Sequence, residues 1–212
     1  MAEEVPRPHR PVPVADLAAL IDSLDAGDSA GQRAEVAAAT AALVVAAGRG
    51  ELPEAGDHTD RLVNLAEVVG MDVLAALWRD ADPVSLPGAL WVLYVMREWC
   101  RTRGEDVTRL WRAGEPYAPV DAVVAGVSDW GDPQALQQLA DAVLTGAYDG
   151  DFGVALERAA AFFRVIAAGR RQVPAPVGPD GGVDELELAE RNERTAADLG
   201  AAARSWRAGT LR

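Results

Sequence analysis

A chain of 212 residues with half its residues apolar is long enough to bury one substantial core, and its net charge of −13 opposes general binding to phosphate backbones. A single cysteine, Cys100, excludes an intrachain disulfide, and the beginning Met-Ala-Glu-Glu carries no apolar stretch of the kind that opens a secretory signal. The expected location is therefore cytoplasmic, with no membrane span and no nucleic-acid partner. Much of the apolar half is alanine, a strong helix former, and no sustained alternation of β-branched or aromatic residues reads as a strand. The expected class is all-α: a helical bundle of about nine helices around a buried central helix, plus a separate C-terminal amphipathic helix.

Residues 1–13 hold four prolines among charges and read as a flexible N-terminal arm, with His9 in it. A helical body is expected over 14–171. Its first helix covers about 14–26, with Val14, Leu17, Ile21 and Leu24 on one face. An alanine-rich second helix follows over about 32–48 and is ended by Gly48 and Gly50. A third helix covers about 59–69. Asp57, His58 and Asp60 before it read as helix-capping groups in preference to metal ligands. Asp72 starts a short fourth helix that ends near Arg79.

The organising stretch is Leu86 to Arg101. Ser85 suits an N-cap and Pro87 the first turn, where a missing N–H costs nothing. Every residue from Ala89 to Met96 is apolar or aromatic, which predicts a helix buried all round, too short in its apolar run to span a bilayer. Trp78, Trp91, Trp99, Trp111 and Trp130 lie near it in sequence, so they either fill the core or line a pocket. Arg97 and Arg101 return charge to its end. Truncating Trp91 is accordingly expected to destabilise the body severely.

Further helices are expected over about 105–113, 120–127, 132–147 and 152–169. Asp132-Pro133 is a firm start signal for the third of these. Residues 46–49 and 167–170 both read Ala-Ala-Gly-Arg, a weak internal echo in which each copy closes an alanine-rich helix. The run 172–183, with three prolines and three glycines, reads as a linker. A charged C-terminal helix fills 184–212, with Glu187–Arg191 and Glu190–Arg194 at i,i+4 spacing. Ala189, Ala196 and Ala203 recur every seven residues, and so do Asn192, Leu199 and Trp206.

The chain offers no nucleophile-and-base constellation, no Cys/His metal spacing and no glycine-rich phosphate cradle after a strand, so no catalytic residue, metal or cofactor is expected. Two readings of function follow. In the first, the protein is non-catalytic and acts by self-association or by docking on a protein partner, with Leu199 and Trp206 as anchors on the tethered helix. In the second, it is a small-molecule sensor or enzyme with a pocket beside the central helix. Trp91, Tyr94, Glu98 and Trp99 would line it, and Arg97 or Arg101 would hold a small anionic ligand. A DNA-binding reading rests on the arginines between Arg97 and Arg112 alone.

The segment Leu-Pro-Gly-Ala-Leu-Trp-x-Leu-Tyr (86–94), then Arg-Glu-Trp-Cys (97–100), resembles a group of small uncharacterised all-helical proteins of high-GC bacteria. Ala-Val-Leu-Thr-Gly-Ala-Tyr-Asp-Gly-Asp-Phe (142–152) and Ala-Leu-Glu-Arg-Ala-Ala (155–160) extend the resemblance. It covers 14–171. Such proteins are sometimes labelled RNA polymerase beta subunit-like, but catalytic polymerase subunits are far longer and rich in strands, so the resemblance implies a helical fold and no catalytic residues.

Overall fold

The computed structural model describes residues 30–49, 70–126, 132–173 and 184–212. The expected arm at 1–13, helices at 14–26 and 59–69, Trp130, both histidines, and all but the first two residues of the expected linker lie outside these. Among the described residues there are eight α-helices and no strand. They are α1 (Ala30–Gly48), α2 (Met71–Trp78), α3 (Leu86–Thr102), α4 (Gly104–Gly114), α5 (Pro119–Ala125), α6 (Pro133–Asp149), α7 (Phe152–Gln172) and α8 (Glu185–Arg207). A single 3₁₀ turn, Glu115–Tyr117, links α4 to α5.

Local chemistry explains four of the helix starts. The Ser85 hydroxyl accepts from the Gly88 N–H at 3.2 Å, the Asp132 carboxylate from Gln134 N–H at 2.9 Å, Asp151 from Gly153 N–H at 2.8 Å, and Asp184 from Leu186 N–H at 2.9 Å. Each satisfies a backbone donor that the first turn leaves without a partner. One further orphan donor on α3, Leu86 N–H, reaches the carbonyl of Arg212 at 2.8 Å, tying the last described residue to the start of the central helix.

The core is continuous. Leu90, Leu93, Tyr94 and Met96 of α3 meet Leu136, Val143 and Leu144 of α6 and Phe152, Leu156, Phe162 and Ile166 of α7 in one cluster. The most extensively packed element is α7, which touches α4, α5, α6 and α8. Its approach to α4 is unusually close because both helices present glycine there. A Cβ on Gly169 would lie 1.9 Å from the Leu110 carbonyl oxygen, and one on Gly114 would lie 1.9 Å from that of Val165. Backbone rests on backbone at this crossing.

That crossing corrects the reading of the Ala-Ala-Gly-Arg echo. Gly48 ends α1, whereas Gly169 lies inside α7, which continues to Gln172. The two glycines do different jobs. The central helix departs from expectation in a second way. It is buried on one face only: Trp91, Val92 and Trp99 are half-buried, and Val95 is exposed.

The third correction concerns the C-terminal helix, which is not separate. It runs antiparallel along α7, forming the most extensive pairing in the structure. Arg170 pairs with Glu185 at 2.5 Å, Arg171 with Glu193 at 2.6 Å, and Glu157 with Arg207 at 2.6 Å. Ala189, Ala196, Ala202 and Ala203 are buried at the seam with Leu199. Small side chains bury little area each, but they let the two helix axes approach, so many atoms come into contact along the whole length.

Candidate functional site

The two faces of α3 carry different chemistry. On the inner face the Tyr94 and Tyr148 hydroxyls and the Trp78 indole N–H are answered. The Tyr94 and Tyr148 hydroxyls share a hydrogen bond of 2.6 Å. The Trp78 ring lies 6.1 Å from that of Tyr94, and its Nε1–H donates to the Thr40 hydroxyl at 3.0 Å. Thr40 passes its own proton back to the carbonyls of Val36 and Ala37. Burial pushes the Tyr94 and Tyr148 hydroxyls far above the usual phenol range, so both remain neutral. Burial also raises the Cys100 thiol to about 12, with Asp141 nearby adding to the effect; an inert thiol results.

Arg97 belongs to this inner side as well. It is buried, and its Nε donates to Asp141 of α6 at 2.6 Å. Arg101 is exposed and donates through two nitrogens to Glu98, one turn back, at 2.8 and 3.0 Å. Tyr94 is fully enclosed. The six residues expected to form one pocket are therefore split: Tyr94 and Arg97 face inward, Glu98 and Arg101 form a surface pair, and only Trp91 and Trp99 border a groove. The basic run is dispersed too, since Arg109 lies 3.8 Å from Asp106 and Arg97 and Arg101 are paired as described. Of the other charges embedded in apolar helix, Arg158 donates to the Ala125 carbonyl at 3.1 Å, and Glu157 belongs to the Arg207 pair.

The outer face of α3 forms one wall of an open groove of about 310 Å³. Trp91, Val95 and Trp99 of α3 line it together with Phe163 and Arg170 of α7 and Asn192 and Thr195 of α8. Trp99 meets the edge of Phe162 at 6.3 Å, and the Arg170 guanidinium lies 5.6 Å from the Trp99 ring centre. Arg170 and Asn192 were not among the expected site residues. Arg170 is hidden in sequence because it follows an apolar run as one of two adjacent arginines. Asn192 was legible: it is the polar member of the heptad series completed by Leu199 and Trp206, and a polar group at a seam position is a specific signal.

Four buried side-chain polar atoms find no partner among the described residues: Thr108 Oγ1, Trp111 Nε1, Arg170 Nε and Asn192 Nδ2. Arg170 and Asn192 both line this groove, but these two atoms are enclosed and do not open onto it. Buried donors are nearly always satisfied, so each such exception calls for an account.

Leu199 and Trp206 are turned onto their own chain. Leu199 is in the core, and Trp206 packs 4.8 Å from Phe152 with the Arg49 guanidinium 4.7 Å over its ring. Among the described residues, Val95, Val154 and Leu186 are exposed singly on α3, α7 and α8, and four further exposed apolar side chains fall together in sequence on the 3₁₀ turn and α5: Tyr117, Val120, Val123 and Val124, with Val120 and Val123 74% and 73% exposed. On the opposite side of α5, Ala122 and Ala125 are buried against the body. Among the described residues no group of His, Cys, Asp and Glu is placed to hold a metal ion, and no helix is long and apolar enough to cross a membrane. No protein-family model, curated protein or solved structure matches this chain.

Proposed function

We propose that this protein acts through protein contacts, with self-association across the outward face of α5 as its primary mode. The supporting observation is the set Val120, Val123 and Val124, exposed large apolar side chains on one short helix, with exposed Tyr117 on the 3₁₀ turn just before it. Scattered apolar residues are ordinary on protein surfaces, but adjacent ones on one helix are a feature of interaction sites. A two-fold contact needs one patch that complements itself, and an apolar face meets that condition without any added partner. Asp121 within the patch is already neutralised by Arg164 at 2.9 Å, so apposition brings together no unpaired charge there. The patch is smaller than the roughly 800 Å² per partner of a stable complex, so the association is weak by itself.

Sedimentation velocity over a range of concentrations tests this reading. Dimer should accumulate as concentration rises, and added salt should favour it by screening the repulsion between two chains of charge −13. The double variant Val120→Asp/Val123→Asp should stay monomeric with an unchanged melting temperature, because both positions are exposed. A wild-type protein that remains monomeric into the millimolar range refutes self-association through α5. Capture of a heterologous chain that the double variant also captures refutes the face itself.

A further inference from the structure

We infer that residues 185–195, the first half of α8, are a strap that lifts from α7 as one unit while the rest of the helix stays anchored, a proposal independent of the α5 face. The two halves are held by different chemistry. Ala196, Leu199, Ala202 and Ala203 join the core cluster, and half-buried Trp206 and Leu211 pack against it. Trp206 also meets Phe152 and Arg49, Arg207 pairs with Glu157, and the Arg212 carbonyl accepts from Leu86 N–H. Within 185–195, by contrast, Ala189 alone is buried, and no residue belongs to the core cluster. Leu186, the large apolar side chain of the first turn, is 59% exposed.

What ties the strap down is charge. Glu185 pairs with Arg170 and Glu193 with Arg171, both in the last turn of α7. The second pair is exposed on both sides, and water screens such pairs so that they add little stability. Against these ties stand two enclosed donors, Arg170 Nε–H and the Asn192 amide N–H, which have no acceptor among the described residues. Both belong to the strap's contact with the body: Asn192 is part of the strap, and Arg170 is gripped by Glu185. Closure removes them from water and returns no hydrogen bond, so it costs their hydration, and lifting restores it.

The surface beneath does not move with the strap. The end of α7 is fixed from its other side, where Gly169 rests on the Leu110 carbonyl of α4 and Val165 and Ile166 are in the core. The opening is therefore local. In the closed state Asn192 and Thr195 border the groove lined by Trp91 and Trp99. Lifting removes that border, releases the Arg170 guanidinium from Glu185 and widens access to the Trp99 ring beside it. The strap thus controls whether this cation and this ring are covered.

Native-state amide exchange of the full chain, read residue by residue by NMR, tests the device. Amides 189–195 should share one protection factor, at least about tenfold below that of amides 199–205, because they open in one sub-global step. Asn192→Leu removes an orphan donor and adds apolar contact, so it should raise the strap's protection about tenfold and leave that of 199–205 unchanged. Glu185→Gln/Glu193→Gln should lower the strap's protection about threefold, again without effect on the anchored half. Unchanged protection of 199–205 in each variant shows that the body is still folded. Equal protection in the two halves of wild type overturns the proposal. Protection that rises smoothly from 189 to 205 does so too, since that is ordinary fraying of a helix end. Strap exchange indifferent to both variants also overturns it.

Discussion

The inner and outer faces of α3 are built from the same residue types and reach opposite outcomes. Inside, Trp78 pairs with Thr40 and Tyr94 with Tyr148, two hydrogen bonds joined by the contact of the Trp78 and Tyr94 rings, and Arg97 has Asp141. Outside, Trp91 and Trp99 border a groove, and the enclosed Arg170 Nε and Asn192 Nδ2 beside it have no partner among the described residues. An answered network rigidifies a core. The presence of tryptophan and arginine on a helix therefore does not distinguish core from surface; how far the other helices enclose each side chain does.

The largest test of that contrast is Trp78→Ala. It removes a fully enclosed ring and strips Thr40 of its donor, so a loss of about 3–5 kcal/mol is expected in denaturant unfolding. Tyr148→Phe should cost less, about 1–3 kcal/mol, because it leaves the Tyr94 hydroxyl buried without its partner. Adding Tyr94→Phe should recover part of that loss, since the two hydroxyls that share the bond are then removed together; a double variant worse than the sum of the singles would show that the hydroxyl pair does not act as a unit. On the outer face Trp91→Ala should cost only about 1 kcal/mol. This revises the severe effect that an all-round buried helix implies, since Trp91 is half-exposed. Equal losses for Trp78→Ala and Trp91→Ala in thermal melts would erase the distinction between the faces.

The smallest expected effect concerns the wall that α8 contributes to the groove. The hydrogen bond from Arg207 holds the Glu157 carboxyl below its usual value of 4.5, and Arg171 does the same for Glu193. Both carboxylates bind protons less readily folded than unfolded. Their contribution is fully present above the unfolded value and disappears as pH falls through the lowered folded value. Below the usual carboxylate range, wild type should therefore converge in melting temperature with Glu157→Gln/Glu193→Gln, while at neutral pH it should lie slightly above. A gap that persists in acid would mean that packing, and not charge, accounts for these side chains.

Much of the architecture was legible because helix signals are local. Capping by Ser85 and Asp132, the proline after each, and the 3.6-residue periodicity act within a few residues, and the observed helices fall close to where those signals place them, except that Met71–Trp78 starts at Gly70 without a side-chain cap and holds Asp72, its expected cap, in the first turn. What faces what was not local. The run Ala89–Met96 is apolar all round, yet one side of it looks outward, because the number of helices available to cover it is a property of the assembly. The seam of Ala189, Ala196 and Ala203 reads in isolation as too small to hold a partner; only the matching surface of α7 turns small side chains into close contact. Gly114 is unremarked in sequence and Gly169 reads there as a helix end, because their role is a backbone crossing between residues 55 positions apart. The same holds for the site. Trp91 and Trp99 could be named from their spacing, but Arg170 and Asn192 meet them only when α7 and α8 pair, and whether a buried donor has a partner is decided by the other chain segments that reach it.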